Sequence, residues 1–139
     1  MVEHTTRYGI ATTVDMDVPE AIARTKEALA DEGFGVLAEI DIAATLKKRM
    51  GVELAPYVIL GACNPPLAYQ ALKAERDIGL LLPCNVVVYA ADVPGRSVVA
   101  AMDPVEALSL TGNDAIRPIA DDVKARLTRV LERLEHATA

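Results

Sequence analysis

Apolar and polar positions recur along this chain with two different periods, and the points where the period changes mark its elements. From Tyr8 to Val14 the period is two: Tyr8, Ile10, Thr12 and Val14 point one way, and the small residues Gly9, Ala11 and Thr13 the other. This predicts a strand whose second face lets a neighbour pack closely. Asp15 to Pro19 reads as a helix start. Asp17 or Val18 caps it, and Pro19 suits the first turn, where its missing N–H is not needed. Val18, Ile22, Thr25 and Leu29 then recur at helical spacing, with Glu20 and Arg24 supporting the outer face. Gly33 and Gly35 end the helix, one of them in the left-handed conformation.

The period returns to two over Gly35–Asp41. Val36, Ala38 and Ile40 share one face, and Leu37, Glu39 and Asp41 the other. Glu39 between apolar neighbours is a candidate for acid–base work or ligand contact. An edge or solvent-facing acid is the plainer account, since mixed strand faces are common in antiparallel sheets. A short helix over Ala43–Met50 follows, capped by Asp41 and stopped by Gly51. Its Lys47-Lys48-Arg49 cluster reads as a solvated face rather than an anion site.

Tyr57–Ala62 is apolar on both faces and predicts a central strand. Gly61 removes a side chain just before Cys63, which admits either a close backbone or a small ligand. Asn64 caps a helix that opens with Pro65 and Pro66 and runs to Arg76. Gly79 breaks it, and Leu80-Leu81-Leu82-Pro83 leads back to a second central strand, Cys84–Ala91. The Pro94-Gly95 turn joins this strand to Ser97–Met102 as a hairpin. Asp103-Pro104 starts a short helix. A long amphipathic one spans Pro118–His136, with Ile119, Val123, Leu127, Val130 and Leu134 as its stripe.

Two long helices and five strands suit an α+β fold: an antiparallel sheet of about five strands, with the long first and last helices on one face and short helices inserted between strands. A parallel sheet is the alternative; the Pro-Gly hairpin and the terminal helix favour the antiparallel one. The choice decides the chemistry. In an antiparallel pair the end of the third strand and the start of the fourth share an edge, so Cys63 and Cys84 become neighbours. In a parallel pair they sit at opposite ends.

Composition narrows the functional classes. A chain of 139 residues fits one domain spanning 1–139, and with 52% apolar residues, no Trp and one Phe its core is built from aliphatic side chains. The formal charge of −6 and the lack of stacking platforms argue against nucleic acid. The start lacks a signal-peptide pattern and no apolar run is long enough to span a membrane. Two cysteines without an export signal point to the cytoplasm and reduced thiols. Zinc is not expected, because His4 and His136 lie at the chain ends and no Cys-x-x-Cys occurs. No triad order, phosphate loop or dinucleotide fingerprint implies a cofactor.

The run PYVILGACNPPLAYQAL, then GLLLPCNVVVYA, a hairpin and MDPVEAL, together with the opening YGIATTV, resembles the domain-of-unknown-function 302 family over nearly the whole chain. The matching positions are Cys63, Asn64, Pro65, Pro83, Cys84, Asn85, Asp103 and Pro104. The resemblance implies a fold like that of the TATA-box-binding protein, with a curved sheet and two main helices on one face, and a homodimer. It implies neither DNA binding nor any catalytic residue.

The candidate chemistry gathers at one edge. Cys63 precedes a helix N-terminus, which favours a thiolate, and Cys84 beside it would resolve an oxidised sulfur or share a soft metal. Buried packing as small hydrophobes is the competing account. Asn64 and Asn85 brace turns or contact a ligand, and Tyr57 and Tyr89 form core, interface or pocket walls. Two functions follow. The first is a homodimeric small-ligand-binding or accessory module, its ligand largely apolar, with Glu39, Tyr57, Cys63, Asn64, Cys84, Asn85 and Tyr89 as contacts. The alternative is a thiol-dependent enzyme or sulfur carrier with Cys63 as nucleophile.

Overall fold

The computed structural model describes residues 1–137 and folds them as one open antiparallel sheet with helices laid against it. Its strands are β1 (Glu3–Thr6), β2 (Gly9–Val14), β3 (Gly35–Asp41), β4 (Tyr57–Cys63), β5 (Cys84–Ala90) and β6 (Ser97–Met102), side by side in the order β1-β2-β6-β5-β4-β3. Every neighbouring pair is antiparallel. The helices are α1 (Val18–Asp31), α2 (Ile42–Met50), α3 (Pro65–Ala74), α4 (Pro104–Leu108) and α5 (Arg117–Ala137), with 3-10 segments at Arg76–Leu81 and Ser109–Thr111.

The expected α+β class and antiparallel topology hold, with one correction to the strand count: six strands form, not five. The extra one, β1, reads Glu-His-Thr-Thr and is exposed throughout. It has no apolar alternation for a pattern to register, and its pairing with β2 makes it a strand. The helix expected to reach Arg76 ends at Ala74, because Glu75 turns extended. There Asn113 Nδ2 donates to the carbonyl of Ala74 and to Glu75 Oε1, holding the chain out of the helix.

One device starts three of the helices. Asp17, Asn64 and Asp103 each accept a hydrogen bond from a first-turn N–H, and each is followed within two residues by proline. Such a cap is worth about 1 kcal/mol, and proline there forfeits no bond.

The core lies on one face only. Leu60, Val86, Val88, Val99, Ile10 and Val14 project from the sheet onto Leu29 of α1 and onto Leu127, Leu131 and Leu134 of α5. Each such side chain contributes roughly 1.5–3 kcal/mol on leaving water. A second, smaller cluster joins Ala71 of α3, Ile78, Leu108 of α4, and Ile116 and Ala120 around the start of α5. Ile119 packs against both clusters.

The opposite face of the sheet carries Tyr57 and Ile59 on β4, Val87 and Tyr89 on β5, and Val98, Ala100 and Met102 on β6, all only partly buried. None of these positions is charged. Tyr57 and Tyr89 stack across the strand pair at 5.3 Å and 8°. Among the described residues no helix is long and apolar enough to cross a membrane.

Candidate functional site

Antiparallel pairing of β4 with β5 places Ala62 opposite Cys84, so Cys63 and Cys84 meet at the same end of the two strands. Both thiols are free; Cys84 is buried and Cys63 partly exposed. The chain enters β5 through a cis peptide bond at Leu82–Pro83. Pro83 fills the space beside Gly61, where an added Cβ would lie 3.0 Å from Pro83 Cγ. The room at Gly61 therefore serves a backbone turn and not a ligand.

The Asn64 side chain is held by two hydrogen bonds. Its Oδ1 accepts from Leu67 N–H at 3.3 Å, capping α3, and its Nδ2 donates to the Glu32 carbonyl at 3.4 Å. Arg126 Nη1 donates to that same carbonyl at 2.9 Å. Arg129 grips the Glu32 carboxylate at 2.8 Å, and its hydrogen bond holds that carboxyl below its ordinary value. The C-terminal end of α1, the middle of α5 and the start of α3 are thus tied through one backbone carbonyl. Gly33 makes the approach feasible: its φ is +86°, and a Cβ would sit 3.0 Å from Asn64 Nδ2. Gly33→Ala is accordingly expected to cost about 1–2 kcal/mol from left-handed strain alone. It should also loosen the Asn64 cap, visible as faster amide exchange at Leu67. Unchanged stability and exchange would refute the coupling.

Behind these residues lies a cavity of about 290 Å³. Cys63, Asn64 and Cys84 line it together with side chains from both core clusters, Ala62 and Val123 from the larger and Ala71 and Leu108 from the smaller. It therefore occupies the seam between them. Leu67, Ala68 and Leu72 of α3 form one wall, and Phe34 and Leu37 reach in from the β3 side. The lining contains no Asp, Glu, Lys, Arg or His.

Burial, and after it the neighbouring Cys63, push the Cys84 thiol from its ordinary 9.0 up to about 11. At pH 8 its thiolate fraction is then on the order of one in a thousand. Iodoacetamide at that pH is expected to modify Cys63 first and Cys84 only after unfolding, which peptide mass mapping would read directly. Because the folded value lies above the unfolded one, the folded chain holds this proton more tightly. The resulting stability is complete below about pH 9 and is lost as pH rises through about 11. The stability-against-pH slope in that window should flatten in Cys84→Ala; an equally steep slope would place the titration elsewhere.

The remaining candidates lie apart from this cavity. Tyr57, Asn85 and Tyr89 line a separate groove of about 470 Å³ on the open face of the sheet, together with Thr5, Thr6 and Tyr8. Glu39 sits on edge strand β3, half-exposed, in an ion pair with Lys26 of α1. The structure brings Cys63, Asn64 and Cys84 together, groups Tyr57, Asn85 and Tyr89 elsewhere, and leaves Glu39 outside both. Phe34, Leu37, Leu67, Ala68, Ala71 and Leu72 were not anticipated as lining. The apolar side of α3 was visible in the sequence, but nothing there said that the seam beneath it would stay open.

A model of the family described as "Domain of unknown function DUF302" matches residues 10–134 of this chain. The solved structure of an uncharacterized conserved DUF302 protein from Bacillus stearothermophilus is similar to it, with a TM-score of 0.85 and 31% identity over 93% of this chain and 99% of that one. No curated protein matches.

Proposed function

This chain belongs to the DUF302 family, and on that premise we propose that it is a homodimeric binding or accessory module holding a small, largely apolar ligand at the Cys63–Asn64 and Cys84 edge. The observation that carries this reading is the cavity: about 290 Å³, with a lining free of carboxylates and cationic side chains. That volume sits at the lower end of small-molecule sites, roughly 300–1,000 Å³. The pairing of subunits is supported by the uncharged positions that β4, β5 and β6 present on the open face of the sheet. A second copy docked there would bring apolar surface to apolar surface without opposing the acidic groups behind the chain's charge of −6. Two free thiols fit a cytoplasmic setting.

A metabolite thermal-shift screen tests the binding reading. A ligand present at a hundredfold excess over its Kd is expected to stabilise the fold by about 2.7 kcal/mol. A screen in which no apolar compound raises the melting temperature would sink it. The thiol-dependent alternative, an enzyme or sulfur carrier with Cys63 as nucleophile and Cys84 as resolving thiol, has one point in its favour: both cysteines are among the residues of one cavity. Its weakness is the Cys84 thiol, which burial keeps protonated at neutral pH.

A further inference from the structure

The cavity sets narrow terms for its occupant. Its volume of about 290 Å³ is about ten times the ~30 Å³ that one water occupies in the liquid, which is room for a chain of about ten heavy atoms. The room is graded from inside to outside. Ala62, Ala71 and Cys84 are buried, at 0%, 3% and 6% exposure, whereas Leu37 and Leu72 on the same lining are exposed at 70% and 44%. The inner end offers no ionised partner. Asn64, the lining's one amide side chain, already gives its oxygen to Leu67 N–H and one N–H to the Glu32 carbonyl, which leaves it little to offer. A charged group pushed inward would forfeit its hydration without a counter-charge to replace it. The outer end is different: two leucines carry the apolar surface out to water.

We propose that the cavity takes the hydrocarbon end of a medium-chain amphiphile, about eight to ten carbons long, with its polar head left in water beside Leu37 and Leu72. This rests on the cavity-binding reading above and adds to it the class of ligand, its length and its direction. Small side chains on α3 make the space. Ala68 and Ala71 stand where larger residues would fill the seam, so chain length is read by how far a methylene string reaches before it leaves the cavity.

Titration calorimetry with linear 1-alkanols from hexanol to tetradecanol, and with the matching alkanoates, tests it. Affinity is expected to rise about fourfold per methylene up to about ten carbons and then to level off. Alkanol and alkanoate of one length should bind alike, because the head lies outside. Leu72→Glu removes part of the apolar rim for both ligands but should weaken decanoate at least tenfold more than decanol, on the order of a close like-charge contact. Ala68→Phe should fill the space and abolish binding of both; Leu72→Glu carries the test if that variant does not fold. A series without length dependence, or decanoate binding indifferent to Leu72→Glu, would overturn the proposal, as would binding that survives in a folded Ala68→Phe variant. If the compact ring indole binds and is excluded by Ala68→Phe while no chain binds, the amphiphile fails and the cavity-binding reading stands. If neither chain nor ring binds, both fail.

Discussion

Replacing Lys124 with methionine is expected to cost the fold about 3 kcal/mol, and more than replacing Asp103 with asparagine. Asp103 lies at the junction of β6 and α4 and is 1% exposed. Its Oδ1 caps α4 by accepting from Val105 N–H at 2.9 Å, and its own N–H donates to the Tyr8 carbonyl at 2.7 Å. Its Oδ2 is buried and accepts no hydrogen bond in good geometry; its charge is answered by Lys124 Nζ at 2.9 Å and, farther off, by His4 Nε2 at 3.8 Å. The two partners are not equivalent. Lys124 is 33% exposed, so without Asp103 its ammonium can swing into water, whereas without Lys124 the carboxylate has nowhere to go. Stranding a buried charge typically costs about 3–5 kcal/mol, and the exposure of Lys124 places this pair at the low end. Asparagine keeps the capping oxygen and removes the charge, so Asp103→Asn should be the milder change. It should also rescue part of the loss when combined with Lys124→Met. Urea denaturation of the four proteins of this cycle measures the coupling. A loss below about 1 kcal/mol for Lys124→Met would mean that the carboxylate finds water by another route.

The contrast between Asp103 and the thiols shows what could be read in advance and what could not. Asp103 followed by Pro104 announces a capped helix, and the cap is there. That its second oxygen would be buried against Lys124, some twenty residues on, depends on how α5 crosses the end of the sheet, which no local pattern states. Strands β4 and β5 were legible because apolar residues occupy both faces. Their antiparallel pairing brought Cys63 and Cys84 to one edge as expected. Alternation also places Asn85, next to Cys84, on the opposite side of the sheet, together with Tyr57 and Tyr89. Grouping all of them as one site treated proximity along the chain as proximity in space, although a period of two separates neighbours by the thickness of the sheet. Gly33 was readable as the end of a helix. Its second role, leaving room for the Asn64 amide, needed the approach of α1 to α3. The cavity itself was least legible, because it arises where two core clusters fail to close against each other. Composition tells how much apolar volume a chain has, not where packing leaves a gap.

Val87→Arg is expected to convert a dimer of this protein into a monomer, raising the dissociation constant at least 100-fold, on the order expected from burying an unpaired charge. Val87 lies near the middle of the open face, between Ile59 on β4 and Ala100 on β6 by register. Ile59, Ala100 and the stacked Tyr57–Tyr89 pair surround it with apolar surface, and Asn85 is the polar residue of the same groove. Each strand there shows its uncharged side to solvent and its other side to the core, so surface chemistry and core stability are separable. An arginine at Val87 would stay solvated in a monomer but would meet an apolar partner surface in a twofold dimer. Symmetry introduces two such charges into the interface at once. The monomer's helical content should therefore change little while its mass halves. Light scattering on a sizing column at micromolar concentration, with circular dichroism alongside, reads both quantities. A wild-type protein of strictly monomeric mass would remove the dimer. A Val87→Arg variant that remains dimeric would move the interface off this face, to an exposed edge such as β3, where pairing runs through backbone groups and a charge at Val87 is never buried.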